Sequence, residues 1–123
     1  MIDLLKILSD KNIVHHDIKP ANLLINAHGE ILLMDFDLSD RWNDLAPSLI
    51  LPIGTPRYFH PMKLTKKGEN YKSFQQAHNI DIWSIGITCC FILYNGKVPW
   101  KSKTRKELFS EIINYPTNPT LCK

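Results

Sequence analysis

The chain has 123 residues, 44% of them hydrophobic, and a net charge of +3 from 15 basic and 12 acidic side chains. That length holds one domain at most, and the apolar share is ordinary for a globular chain. The small positive excess is scattered, which argues against a nucleic-acid surface, and the longest nearly apolar run, 82–94, is shorter than the ~20 residues that a bilayer demands.

In chain order, Ile2, Leu4, Leu5, Ile7 and Leu8 fall on one face of a helix that stops near Lys11-Asn12. Leu23-Leu24-Ile25 and Ile31-Leu32-Leu33-Met34 are short apolar strands, and Asn26-Ala27-His28-Gly29 between them is a turn, so the pair reads as a hairpin. Residues 38–57 contain Pro47, Pro52, Gly54 and Pro56 and read as an irregular, mobile surface loop. Lys63 to His78 reads as a polar insert. Asn79 to Tyr94 is apolar on nearly every face, which predicts a helix buried all round and capped by Asn79 or Asp81. Thr104 caps a last helix to Asn114, with Glu107 completing a capping box, Leu108, Ile112 and Ile113 on one face and Pro116 ending it. The run Lys101, Lys103, Arg105 and Lys106 reads as the solvated start of that helix rather than a phosphate-binding patch.

Three cysteines, two of them adjacent, make a poor disulfide framework. The N-terminus lacks the order of a signal peptide. The expected location is cytoplasmic or nuclear, not secreted.

The chemistry is concentrated in two motifs: His15-His16-Asp17-Ile18-Lys19-Pro20-Ala21-Asn22, and Asp35-Phe36-Asp37 after the second strand. A carboxylate, a cation and an amide in the first, and a second carboxylate in the next, form the set that phosphoryl transfer from a Mg-nucleotide requires. The hairpin carries Asn22 before its first strand and Asp35 after its second. Antiparallel strands lie about 4.8 Å apart, so both can serve one metal. Asp35 follows four apolar residues and is expected to be a buried charge whose cost a metal offsets.

On these motifs the chain resembles the C-terminal lobe of a eukaryotic-type serine/threonine protein kinase. Gly54-Thr55-Pro56-Arg57-Tyr58 resembles the family's substrate-docking segment, His60-Pro61-Met62 stands where Ala-Pro-Glu is usual, and Asp81-Ile82-Trp83-Ser84-Ile85-Gly86 resembles the start of its central helix. Gly96-Lys97-Val98-Pro99-Trp100 resembles the turn that follows. Lys19 after Asp17 is similar to the serine/threonine class. The stretch 54–88 is similar to IκB-kinase-related kinases, whereas Asp-Phe-Asp is similar to some AGC-type kinases.

The resemblance implies an α+β, mainly helical fold. Residues 1–123 would form one partial kinase domain, the catalytic loop to the helix after the central one, with the N-terminal lobe and last helices absent. It implies ATP and Mg²⁺ as cofactors, a protein substrate with a Ser or Thr acceptor, and a regulatory protein partner. Asp17 would be the catalytic base, Lys19 would neutralise the transferring phosphate, and Asn22 and Asp35 would hold Mg²⁺. Thr55 would bond Asp17 and Lys19, His15 would pack under Phe36, and Asp81 would fix the catalytic-loop backbone. Three departures qualify this. His16 replaces an arginine that pairs with phosphate on the activation loop, and has no bidentate fork. Asp37 replaces a flexible glycine, and Met62 replaces a glutamate that forms an ion pair. They leave open an alternative: a pseudokinase or truncated remnant that acts as an interaction module.

Overall fold

A computed structural model describes residues 1–115. Helix α1 (Ile2–Asp10) leads into strand β1 (Ile13–Val14), followed by the hairpin strands β2 (Leu23–Ile25) and β3 (Ile31–Leu33). Then come β4 (Asp40–Arg41), α2 (Met62–Thr65), α3 (Phe74–Leu93) and α4 (Arg105–Asn114). Single 3₁₀ turns cover Pro20–Asn22 and Pro56–Tyr58. The α+β, mainly helical architecture read from the sequence is the one observed.

The hairpin pairs Leu23 with Leu33 and Ile25 with Ile31. Its turn is set by Asn26, whose Oδ1 accepts from the backbone of His28 and Glu30 at 2.9 Å each, while Gly29 takes the positive φ of +78° that the turn needs. Strand β1 pairs antiparallel with β4, Val14 opposite Asp40, so the approach to the first motif is stitched to the chain just beyond the second.

Helix α3 supports everything else. Ala77 and Ile80 pack with Val14, Ile50, Met62 and Tyr71. Ile87 packs with Phe59, Trp100, Leu108 and Ile112, and Ile85 with Leu8 and Ile18. One helix therefore fixes the catalytic-type loop, the segment around Phe59 and α4 against one another.

Several expectations need correction. The central helix begins at Phe74, not Asn79, and Ser73 is its cap, accepting from Gln76 N. It is not buried all round: Ile82 is 42% exposed and Leu93 77%. The stretch 38–57 is not a free loop. Besides β4, Ile50 is fully buried, Ile50 N donates to Glu69 O at 2.7 Å, and Tyr71 N donates to Ser48 O at 3.0 Å. The supposed polar insert after Met62 contains four buried residues, Lys63, Tyr71, Ala77 and His78. Thr104 caps α4 as expected, accepting from Glu107 N, but Ile113 is exposed. The helix-ending role of Pro116 lies outside the described residues. Among those residues no helix is long and apolar enough to cross a membrane.

Candidate active site

Asp81 is the foundation. Its carboxylate is fully buried and accepts from His15 N at 2.7 Å and His16 N at 3.0 Å. Burial pushes its pKa up, while the two amide donors and the nearby His15 and His78 pull it back. These bonds hold His16 in a left-handed conformation, φ +73°, which is unfavourable for a residue with a Cβ. The chain turns there and delivers Asp17.

Asp17 is gripped at every polar atom. Thr55 Oγ1 donates to its Oδ1 at 2.7 Å. Asn22 Nδ2 donates to its backbone oxygen at 2.8 Å and lies 3.4 Å from Oδ2. Lys19 Nζ stands 3.7 Å from Oδ2 and donates to Thr55 Oγ1 at 2.7 Å. The Thr55 hydroxyl thus accepts from the cation and donates to the carboxylate, which fixes its proton and ties together residues from two distant segments. The 3₁₀ turn at Pro20–Asn22 brings Asn22 back over Asp17.

His15 joins the two motifs. Its Nδ1 accepts from Asp17 N at 3.1 Å, so Nε2 is the nitrogen that carries hydrogen, and it donates to Met34 O at 2.9 Å. The Phe36 ring meets it edge-on with centroids 4.8 Å apart.

Asp35 follows Met34, whose N donates to Asn22 O at 2.8 Å. The hairpin therefore presents Asp35 and Asn22 at adjoining positions. Asp35 is exposed, not buried, and adopts φ +57°. Its Oδ1 accepts from Asp37 N at 3.3 Å, so the Asp35 side chain caps its own motif through a backbone N–H that glycine would also supply. Asn22 spends its amide nitrogen on Asp17, and among the described residues its amide oxygen meets no hydrogen-bond donor, which suits a hard cation. Among the described residues no group of three His, Cys, Asp or Glu side chains converges.

Thr55 sits at the start of an anchored segment. Trp100 Nε1 donates to Arg57 O at 2.7 Å and Ser84 Oγ to Tyr58 O at 2.9 Å. Met62, which stands where the family has an ion-pairing glutamate, is part of the apolar core.

His16 is almost wholly buried and its pKa is pushed down to about 4 by desolvation, with Lys63 next in effect. It is uncharged at neutral pH. Sequence reasoning missed Lys63, which is 1% exposed and whose Nζ donates to Ile53 O at 2.7 Å and His16 O at 3.2 Å. No local pattern marks a lysine that will be buried by residues far along the chain.

Residues 1–120 match the protein kinase domain family. A putative serine/threonine-protein kinase R436 of Acanthamoeba polyphaga mimivirus is 38% identical over 117 residues, which cover 94% of the chain and 40% of that protein. Citron Rho-interacting kinase of Mus musculus is 38% identical over 102 residues, 83% of the chain and 5% of that protein. Serine/threonine-protein kinase TOS3 of Saccharomyces cerevisiae is 34% identical over 123 residues, 91% of the chain and 21% of that protein. The chain spans less than half the length of these relatives. With its motifs on a helix-supported loop, the chain belongs to the protein kinase domain family.

Proposed function

We propose that this chain carries the phosphoryl-transfer site of a protein serine/threonine kinase that uses ATP. The observation that carries the reading is the fourfold grip on Asp17 by Thr55, Asn22, Lys19 and the His15 ring. A carboxylate so oriented is placed to receive the proton of an attacking hydroxyl, and positioning is most of the catalysis in this chemistry.

Asp17 accepts the hydroxyl proton and aims the oxygen. Lys19, held by Thr55, offsets charge on the phosphoryl group in transit. Asn22 and Asp35 would hold Mg²⁺, which when bound neutralises phosphate oxygens. His15 keeps the metal-binding motif and the catalytic loop in register through Met34 and Phe36. The acceptor is a Ser or Thr of a protein, docked along the segment that begins at Thr55. A regulatory protein partner, as the name of the Rho-interacting relative suggests for that protein, and a cytoplasmic or nuclear location belong to the same reading.

The test is incubation of the purified protein, as its gene expresses it, with Mg-ATP and a mixed protein substrate, followed by phosphoamino-acid analysis. Phosphoserine and phosphothreonine are expected. Nucleotide binding without any transfer favours the interaction-module alternative.

A further inference from the structure

Lys63 is a buried cation whose charge is felt by the Asp81 and Asp17 carboxylates without contact to either. Its charge makes no ion pair within 4 Å, since the ion pairs found among the described residues are Lys6 with Asp10 and Lys19 with Asp17. Placing an ammonium in a protein interior is costly, and an apolar side chain of the same length would fill the space more cheaply. The lysine does something that an apolar chain cannot. Its Nζ donates to His16 O at 3.2 Å and to Ile53 O at 2.7 Å. It also stands 5.2 Å from the centre of the Phe59 ring.

The two carbonyls belong to the two segments that build the candidate site. His16 immediately precedes Asp17, and Ile53 lies just ahead of Thr55. The peptide of His16 is therefore held from both sides, its N–H by Asp81 and its C=O by Lys63. That accounts for the persistence of its left-handed backbone. Gly54 sits in the same junction. A Cβ there would lie 2.5 Å from His16 O and 3.6 Å from Lys63 Nζ, at a φ of +106°. Only glycine lets the segment approach the carbonyl that the lysine holds.

We infer that Lys63 is a positioning residue that latches the segment carrying Thr55 onto the loop carrying Asp17. The chain thereby fixes the Asp17–Thr55–Lys19 geometry with a charge of its own. The catalytic consequence rests on the reading of this site as a phosphoryl-transfer centre, whereas the latch itself does not.

The experiment is amide hydrogen exchange by mass spectrometry on the full protein, unmutated and as Lys63→Met. Two segments are followed: one with the bonded amides of His15, His16 and Asp17, the other with those of Tyr58 and Phe59. Exchange should quicken about tenfold or more in both, the loss expected for hydrogen bonds from a charged donor, while α3 and α4 keep their rates. In the same variant kcat should fall with KM for nucleotide unchanged. Unchanged exchange, or a uniform rise across α3 and α4, would overturn the latch. Selective loosening in a protein that transfers no phosphate even unmutated would uphold the latch and remove the kinase reading. If Lys63→Met does not fold, Gly54→Ala probes the junction from the other side. It should loosen both segments together, and loosening of 50–58 alone would overturn the inference.

Discussion

Thr55 Oγ1 donates to Asp17 Oδ1 at 2.7 Å across 38 positions of sequence. The same hydroxyl accepts from Lys19. Replacing Thr55 with valine keeps the shape and removes both bonds. The carboxylate and the cation then lose their shared anchor while the packing stays. Phosphoryl transfer should fall roughly 10- to 100-fold, within the range for disturbing a positioned base, with a stability loss of about 1 kcal/mol. Steady-state kinetics and a urea titration check this.

Asp81 is both buried and doubly bonded to the backbone. Asp81→Ala strands the N–H groups of His15 and His16 without acceptors, at about 1–3 kcal/mol each. It also frees the strained turn at His16. Asp81→Asn keeps one acceptor oxygen and should be intermediate. Denaturant midpoints of the two variants should rank below the unmutated protein in that order.

Metal binding should depend on nucleotide. Asn22 and Asp35 are two side chains on adjoining hairpin positions, with no third ligand converging among the described residues. Calorimetry should detect little Mg²⁺ binding to the protein alone and clear binding once ATP is present, reduced in Asp35→Ala. Tight Mg²⁺ binding without nucleotide would contradict the two-ligand site.

Acid should destabilise the fold before it reaches the carboxylate range. Burial lowers the pKa values of His16 and His60 from 6.5 to about 4. Between those values the unfolded chain binds more protons than the folded one, so stability falls as pH drops from 6.5 towards 4. Asp81, raised by burial, acts in the opposite direction, so the prediction concerns the contribution of the two histidines, which a histidine substitution isolates. The loss from His16 alone is on the order of 3 kcal/mol. His16→Gln should flatten the pH dependence of thermal unfolding in this window.

Much of this was legible because the signals were local. The hairpin is announced by apolar strands on either side of Asn26 and Gly29, and α4 by Thr104 with Glu107. The start of α3 was legible too but overlooked. Ser73 with Gln76 is a capping-box-like pair, in which Gln76 Oε1 accepts from Lys72 N, one residue before the cap, at 2.7 Å. The polar run Gln75-Gln76 hid it behind the impression of an insert. The exposure of Asp35 was misread because four apolar residues before it suggested burial, whereas the hairpin leaves Leu24, Ile25 and Leu32 exposed as well. Lys63 was beyond local reading. Its charge is satisfied by His16, 47 positions away, and only the folded chain brings them together.

The same exposed apolar hairpin predicts the behaviour of the 123-residue chain by itself. Leu24, Ile25, Ile31 and Leu32 on the hairpin, and Met34 and Phe36 just after it, are all exposed, apolar surface that favours association. Expressed alone, the chain should self-associate and transfer phosphate poorly. Size-exclusion chromatography coupled to light scattering would show a concentration-dependent mass, and a sharp monomeric unfolding transition would argue against it.

The most direct measurement is the rate of γ-phosphate transfer by the purified protein, as its gene expresses it, compared with Asp17→Asn. The substitution keeps the shape and most hydrogen bonds of Asp17 but removes the proton acceptor. The account predicts a fall of roughly 10²- to 10⁴-fold in kcat with nucleotide affinity little changed. Equal rates from both proteins would show that Asp17 is not the base and would contradict it.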